Sequence, residues 1–264
     1  TGHRIRTFGQ QEADIIPMVE SITKYSHMVT SANELPSVIE KALNAAVSGR
    51  PGPVWIDIPL DLQSSRIEAD LIPNIKSQND KQKHHVDDNL SIELINFWNN
   101  SERPVLLIGS GIKSSETKKE LLTFSEMNNV PIVYGNSAVD ICSDHKNAIG
   151  SVGAMGATRF GNFTLQNADL VLVLGNRMNS YLTGVDFCDF ARDAKIVVVD
   201  VDKVEHSKPG VRIDLFLHMN LREFFNSHFV LKAGNKANDW LSKRQYWKKL
   251  LVHGFQQDKG APID

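Results

Sequence analysis

Four stretches of this sequence leave little freedom about the fold. "PVLLIG" (104–109), "VPIVYG" (130–135), "DLVLVLG" (169–175) and "KIVVVDVD" (195–202) are almost continuous apolar runs, rich in Val, Ile and Leu. A strand with one wet face alternates apolar and polar side chains. Runs that lack this alternation are covered on both faces, as in parallel sheets. Parallel neighbours need a crossover of a dozen residues or more, and the segments between the runs supply it. "SGIKSSETKKELLTFSEMNN" reads as a turn followed by a helix, and "FGNFTLQNA" as a short helix. "IDLFLHM" (213–219) reads as a fifth strand running into a helix from Leu221. The predicted fold is α/β, a doubly wound parallel sheet of Rossmann-like type.

A second α/β unit precedes it. Leu35, Val38, Ile39, Ala42, Leu43, Ala46 and Val47 recur at helical spacing, with Pro36 in the first turn and Gly49 at the C-terminal cap. "SGRPGPVWIDIPLDLQ" (48–63) follows: a rigid turn, then "VWIDI" (54–58) as a strand buried on both faces. From Ser64 to Asn89 the sequence is polar, proline-interrupted and aperiodic, which predicts a linker. His84, His85, Asp87 and Asp88 fall in this linker, where adjacent histidines are most often solvated, and no metal site is assigned. "LSIELINFWNN" reads as an amphipathic helix, and Trp240, Leu241, Trp247, Leu250 and Leu251 lie at helical spacing near the C-terminus. The predicted division is 1–63, a linker at 64–89, a central domain at 90–230 and a helical segment at 231–264.

Composition excludes several classes of function. The 264 residues carry a net charge of −2, which gives no footprint for nucleic acid or an acidic membrane surface. No apolar run approaches the ~18 residues of a membrane span. The two cysteines, Cys142 and Cys188, form no C-x-x-C pair, so the expected compartment is reducing and is read as the cytoplasm. The chain does not start with Met and is expected to be a piece of a longer one.

Ligands of open parallel sheets bind beyond the carboxyl ends of the strands. Three predicted strands end in glycine there: Gly109-Ser110-Gly111, Gly135-Asn136 and Gly175-Asn176-Arg177. Glycine permits close backbone approach, and N–H groups at a following helix start receive phosphate oxygens. Arg177 would add a bidentate partner for a diphosphate, and Asp200 at the end of the fourth run would accept ribose hydroxyls. Gly150, Gly153 and Gly156 stand at three-residue steps between the second and third strands. A glycine after a strand also serves simply to turn the chain. The spacing is neither the G-x-G-x-x-G dinucleotide fingerprint nor a Walker A loop.

"SGRPGPVWIDIPLDLQ", "RPVLLIGSGI", "LQNADLVLVLGNRM", "VVVDVD" and the upstream "TFGQQEADI" resemble, in this order, thiamine-diphosphate enzymes of the acetolactate synthase type. The resemblance implies that residues 1–63 are the C-terminal part of a pyrimidine-binding domain, and that 90–230 are the family's central domain, which holds FAD. It implies cofactor contacts at Arg50, Gly109, Ser110, Gly111, Asn136, Gly153, Gly175, Arg177, Asn179, Asp200 and Val201, and places Gln11 near the active site. It also implies thiamine diphosphate and Mg in the full-length enzyme, a 2-keto acid donor with an unspecified acceptor, and a homodimer or homotetramer.

The sequence departs from the family's amino-acid-pathway members at Gln10, Leu60, Asn179, Ser180, Tyr181 and near Asn220. These departures look more like carboligases attached to sugar or surface-polysaccharide pathways. The Gly-Asp-Gly…Asn motif for Mg and diphosphate does not occur among the 264 residues. The catalytic glutamate of the family precedes the first matched segment. The chain alone is therefore expected to be inactive. The alternative is a non-catalytic module that binds FAD, ADP or nothing and stiffens a larger assembly.

Overall fold

A computed structural model describes residues 13–67, 88–227 and 236–254. The chain forms two compact units, Thr1–Gln82 and Lys83–Asp264. His84, His85 and Asp87 lie outside the described residues, and the helix Asp88–Asn100 begins inside the stretch read as a linker.

The first unit contains a two-stranded parallel sheet, β1 (Tyr25–Met28) and β2 (Val54–Asp57), joined through the helix Leu35–Val47. The helix has the predicted bounds, with Pro36 in its first turn. Gly49, just past its end, has φ +53°, a conformation that costs other residues strain. The Arg50-Pro-Gly-Pro turn wraps over Lys24. The Lys24 Nζ donates to the carbonyl of Arg50 at 2.9 Å, and a Cβ on Gly52 would lie 2.9 Å from the Lys24 Cδ. This packing, with the Gly52 N–H on the Ala46 carbonyl at 3.0 Å, explains the stiff turn. β2 is not buried on both faces as predicted: Trp55 is 40% exposed, and Val54, Ile56 and Asp57 are half-buried. Among the described residues its one sheet neighbour is β1, so it lacks there the pairing on both edges that an inner strand has.

The second unit holds a six-stranded, all-parallel sheet. Its strands are β3 (Pro104–Ile108), β4 (Ile132–Tyr134), β5 (Ala148–Ser151), β6 (Leu170–Leu174), β7 (Lys195–Asp200) and β8 (Leu215–His218), in the order β5-β4-β3-β6-β7-β8. Five correspond to the predicted runs. β5 was read only as a glycine-rich loop, as β1 was passed over.

The apolar runs divide cleanly between two cores. Leu106, Ile108, Leu170, Leu172, Leu174, Val197 and Val199 face one side, with Leu94, Trp98, Leu121 and Phe224 from helices Asp88–Asn100, Lys118–Asn128 and Leu221–Asn226. Val105, Leu107, Val171, Val173, Ile196 and Val198 face the other, with Leu165, Trp240 and Leu241 from helices Arg159–Gln166 and Lys236–Gly254. This is the period-2 side-chain alternation of strands with both faces dry.

The C-terminal helix, set apart in the sequence reading, packs within this unit. Its Trp240 Nε1 donates to the Pro104 carbonyl at 3.1 Å. Arg244 is buried, its guanidinium 4.0 Å from the Trp240 ring centre and 3.2 Å from that of Trp247. Burial, with the charge of Arg103 adding to it, lowers its pKa to about 10.

Burial also pushes the Cys142 thiol up to about 12, whereas Cys188 is exposed. Since the thiolate is the reactive form, Cys142 stays protonated and inert at neutral pH. A disulfide-exchange reagent should titrate one thiol per native chain and two after unfolding. Rapid reaction of both in the native protein would contradict this burial.

Candidate functional site

The chain leaves β3 for β4 and β5 on one side, then returns to β6 on the other. The strand order therefore reverses between β3 and β6, and crevices at such switch points hold ligands in open α/β sheets. Gly109-Ser110-Gly111 and Gly175-Asn176-Arg177 leave the sheet at this point.

The three glycines form the floor of the switch point. A Cβ on Gly109 would lie 2.3 Å from the Gly175 carbonyl oxygen, and one on Gly111 would lie 2.6 Å from the Gly175 Cα. Gly175 has φ +57°, and a Cβ there would lie 2.7 Å from the Gly111 Cα. The N–H groups are committed within the protein: Gly109 donates to Leu174, Gly111 to Gly175 and Gly175 to Val199, at 3.0–3.2 Å. Backbone packing fixes these glycines, rather than donation to a phosphate as the sequence reading expected.

Asn176 holds the floor together. It is buried, its Nδ2 donates to the Ile108 carbonyl at 2.9 Å, and its Oδ1 accepts the Met178 N–H at 2.8 Å. The sequence reading gave it no role, although an amide directly after a strand-end glycine was the available signal. Above the floor, Ser110, Asn136 and Arg177 are exposed. Among the described residues no hydrogen bond or ion pair engages the Arg177 guanidinium.

The glycine-rich end of β5 and the loop after it join the same region. A Cβ on Gly150 in β5 would lie 2.2 Å from the Thr158 Oγ1, so this glycine admits the start of a helix. Gly153 donates to Asn162 Oδ1 and accepts from Asn162 Nδ2, each at 3.0 Å. Asn162 was not singled out in the sequence. The Ala154 N–H donates to the Tyr181 carbonyl at 2.8 Å, tying this loop to the turn after β6. Asn179 caps that turn by accepting the Leu182 N–H at 3.2 Å. Gly156, by contrast, faces open space with φ +68°.

Asp200 ends β7 and is already engaged. Its Oδ1 accepts the Asp202 N–H at 2.9 Å, and its Oδ2 lies 3.4 Å from His206 Nε2. The Val201 carbonyl accepts from His218 Nε2 at 3.0 Å. Arg50 is exposed in the first unit, and Gln11 lies outside the described residues. The structure thus brings Gly109, Ser110, Gly111, Gly175 and Arg177 to one switch point and joins Gly153 to the turn that Asn179 caps, with Asp200 on a strand two places from β3.

A six-stranded parallel sheet with helices on both faces and a switch point between β3 and β6 defines an α/β domain of Rossmann-like type. Comparison with known proteins narrows the class. Residues 92–227 match the family described as thiamine pyrophosphate enzyme, central domain, and the chain belongs to that family. It is 31% identical over 256 residues to an acetolactate synthase large subunit of Corynebacterium glutamicum, covering 95% of this chain and 40% of the relative. It is 31% identical over 255 residues to a probable acetolactate synthase large subunit of Methanocaldococcus jannaschii, covering 92% of this chain and 42% of that one. With acetolactate synthase 2, chloroplastic, of Nicotiana tabacum it shares 30% over 249 residues, 91% of this chain and 36% of the relative. The chain thus spans less than half the length of these relatives.

The glycine floor can be tested by contrast. Gly156→Ala meets only the strain of positive φ, about 1–2 kcal/mol. Gly175→Ala meets that strain and a backbone collision, so it should lose about 3 kcal/mol or more. Urea midpoints at unchanged m-value would give both numbers. Equal losses would show that the floor is not close-packed.

Proposed function

We propose that this chain is part of a thiamine-diphosphate-dependent carboligase or decarboxylase acting on 2-keto acids, and that its six-stranded unit holds FAD across the β3/β6 switch point. The observation that carries the reading is Arg177: an exposed guanidinium, without a partner among the described residues, beside the exposed Ser110 at the topological switch point of a family member. An arginine fork and a hydroxyl suit a diphosphate. Gly156, with no atom within 4 Å of its would-be Cβ, leaves room for a ligand to lie against the backbone. Asn136 and Asn179 would line the crevice, and Asp200, whose Oδ1 holds the Asp202 N–H, would take a ribose hydroxyl on Oδ2. Gly109, Gly111, Gly153 and Gly175 would shape the floor, while Val201 would lie near the adenosine end. Arg50 and Gln11, in the first unit, remain proposals from resemblance.

Bound FAD would supply a flavin ring beside a thiamine cofactor; this chain's part is to bind and orient it. In the whole protein we assign Mg and the thiamine diphosphate to residues outside these 264. We place the enzyme in the cytoplasm as a homodimer or homotetramer, with an acceptor that the present residues do not specify. Among the described residues no helix is long and apolar enough to cross a membrane.

A second reading is favoured by one observation. The Gly109, Gly111 and Gly175 N–H groups are all bonded within the protein, as a purely structural sheet would have them. Calorimetric titration of FAD and ADP distinguishes the two. A charge-assisted hydrogen bond contributes about 1.5–3 kcal/mol, so Arg177→Ala and Asp200→Ala should each weaken FAD about ten- to a hundredfold. Only Arg177→Ala should also flatten the salt dependence, because it removes a phosphate partner. If the wild-type protein binds neither ligand at high micromolar concentration, the structural reading stands.

A further inference from the structure

The corner where β7 and β8 end contains a group that the reading above leaves unused. His206, in the short helix Lys203–His206, has a side chain only 3% exposed. Its Nε2 is buried, lies 3.4 Å from Asp200 Oδ2, and makes no hydrogen bond. A buried polar atom without a partner is costly and calls for a reason. Asp200 itself is 13% exposed, and its other oxygen is taken by the Asp202 N–H. Oδ2 is therefore the oxygen that a ribose hydroxyl and His206 would both use.

We propose that the His206–Asp200 pair is a proton-operated latch on the ribose end of the nucleotide site. The proposal rests on the reading of Asp200 as the ribose acceptor. When His206 is neutral, Oδ2 keeps a lone pair for a hydroxyl of the ligand. When His206 is protonated, Nε2–H closes onto Oδ2 as a charge-assisted hydrogen bond, and the ligand loses that acceptor. Proton and ligand compete, so affinity falls as pH falls.

The surroundings of His206 fit this role. Among the described residues, the charged and titratable groups facing the corner are few. Asp200 and Asp202 come from β7 and the turn after it. Asp202 accepts the Glu205 N–H at 2.9 Å and so fixes the helix that carries His206. From β8, the Phe216 ring lies 5.4 Å from the His206 ring, and His218 stacks with Phe216 at 6.1 Å. His218 bonds the Val201 carbonyl, one residue past Asp200. On the helix itself, Glu205 pairs with Lys208 at 2.8 Å, and Lys203 is exposed. Among the described residues, Asp200 is the one carboxylate within ion-pair distance of the ring.

FAD serves as the probe, because its diphosphate diester and flavin keep their charge between about pH 5.5 and 8. Titrations at both pH values should show wild-type affinity at least about fivefold weaker at the lower one, within the tenfold per pH unit that one competing proton allows. His206→Gln, which cannot charge, should hold its affinity within about twofold across the range. Thermal melting should confirm that the variant remains folded. A pH dependence of equal size in His206→Gln overturns the latch. Binding with no pH dependence also overturns the latch while leaving the ribose reading intact. Failure of wild-type FAD binding at both pH values overturns that reading, and the latch with it.

Discussion

The close approach of two backbones after β3 and β6 is the constraint on which the second unit depends. Gly109 and Gly111 meet Gly175 at distances that exclude any side chain. That contact lets the two central strands keep an unbroken register from Pro104↔Leu170 to Ile108↔Leu174. It also seals the bottom of the switch point, so that a ligand there must rest on the exposed groups above. Asn176 completes the seal by bridging the Ile108 carbonyl and the Met178 N–H. The glycines thus serve the fold, and the arginine beside them stays exposed.

Inner strands were legible in the sequence for a physical reason. Dry on both faces, they must be apolar throughout, and the Leu170–Leu174 run could be little else. The two strands that were missed carry polar or glycine positions. Tyr25–Met28 includes Ser26 and His27, and Ala148–Ser151 includes Gly150, which must be small to admit Thr158. β2 misled in the opposite direction, since "VWIDI" is apolar enough for an inner strand but has a single neighbour among the described residues.

The candidate site was less legible, because residue type reveals capacity and not commitment. The glycines were recognised at the right strand ends, but their N–H groups proved to be bonded inside. Asp200 has the chemistry to accept a ribose, yet its proximity to His206 depends on a helix turn and the Phe216 ring, which no local pattern encodes. Asn162 and Asn176 hold loops through paired side-chain bonds formed only once distant segments meet.

The hydrogen bond from Trp240 to the Pro104 carbonyl has a consequence for the order of events during synthesis. It ties the last described helix to the strand that begins the sheet, 136 positions apart in sequence. Trp240 and Leu241 complete the cover of the face that carries Val105, Leu107 and Val171. A ribosome therefore releases β3 long before its cover is complete. Until the C-terminal helix emerges from the exit tunnel, the nascent chain carries an apolar sheet face left partly open to solvent, and chaperones that hold such surfaces have their window there.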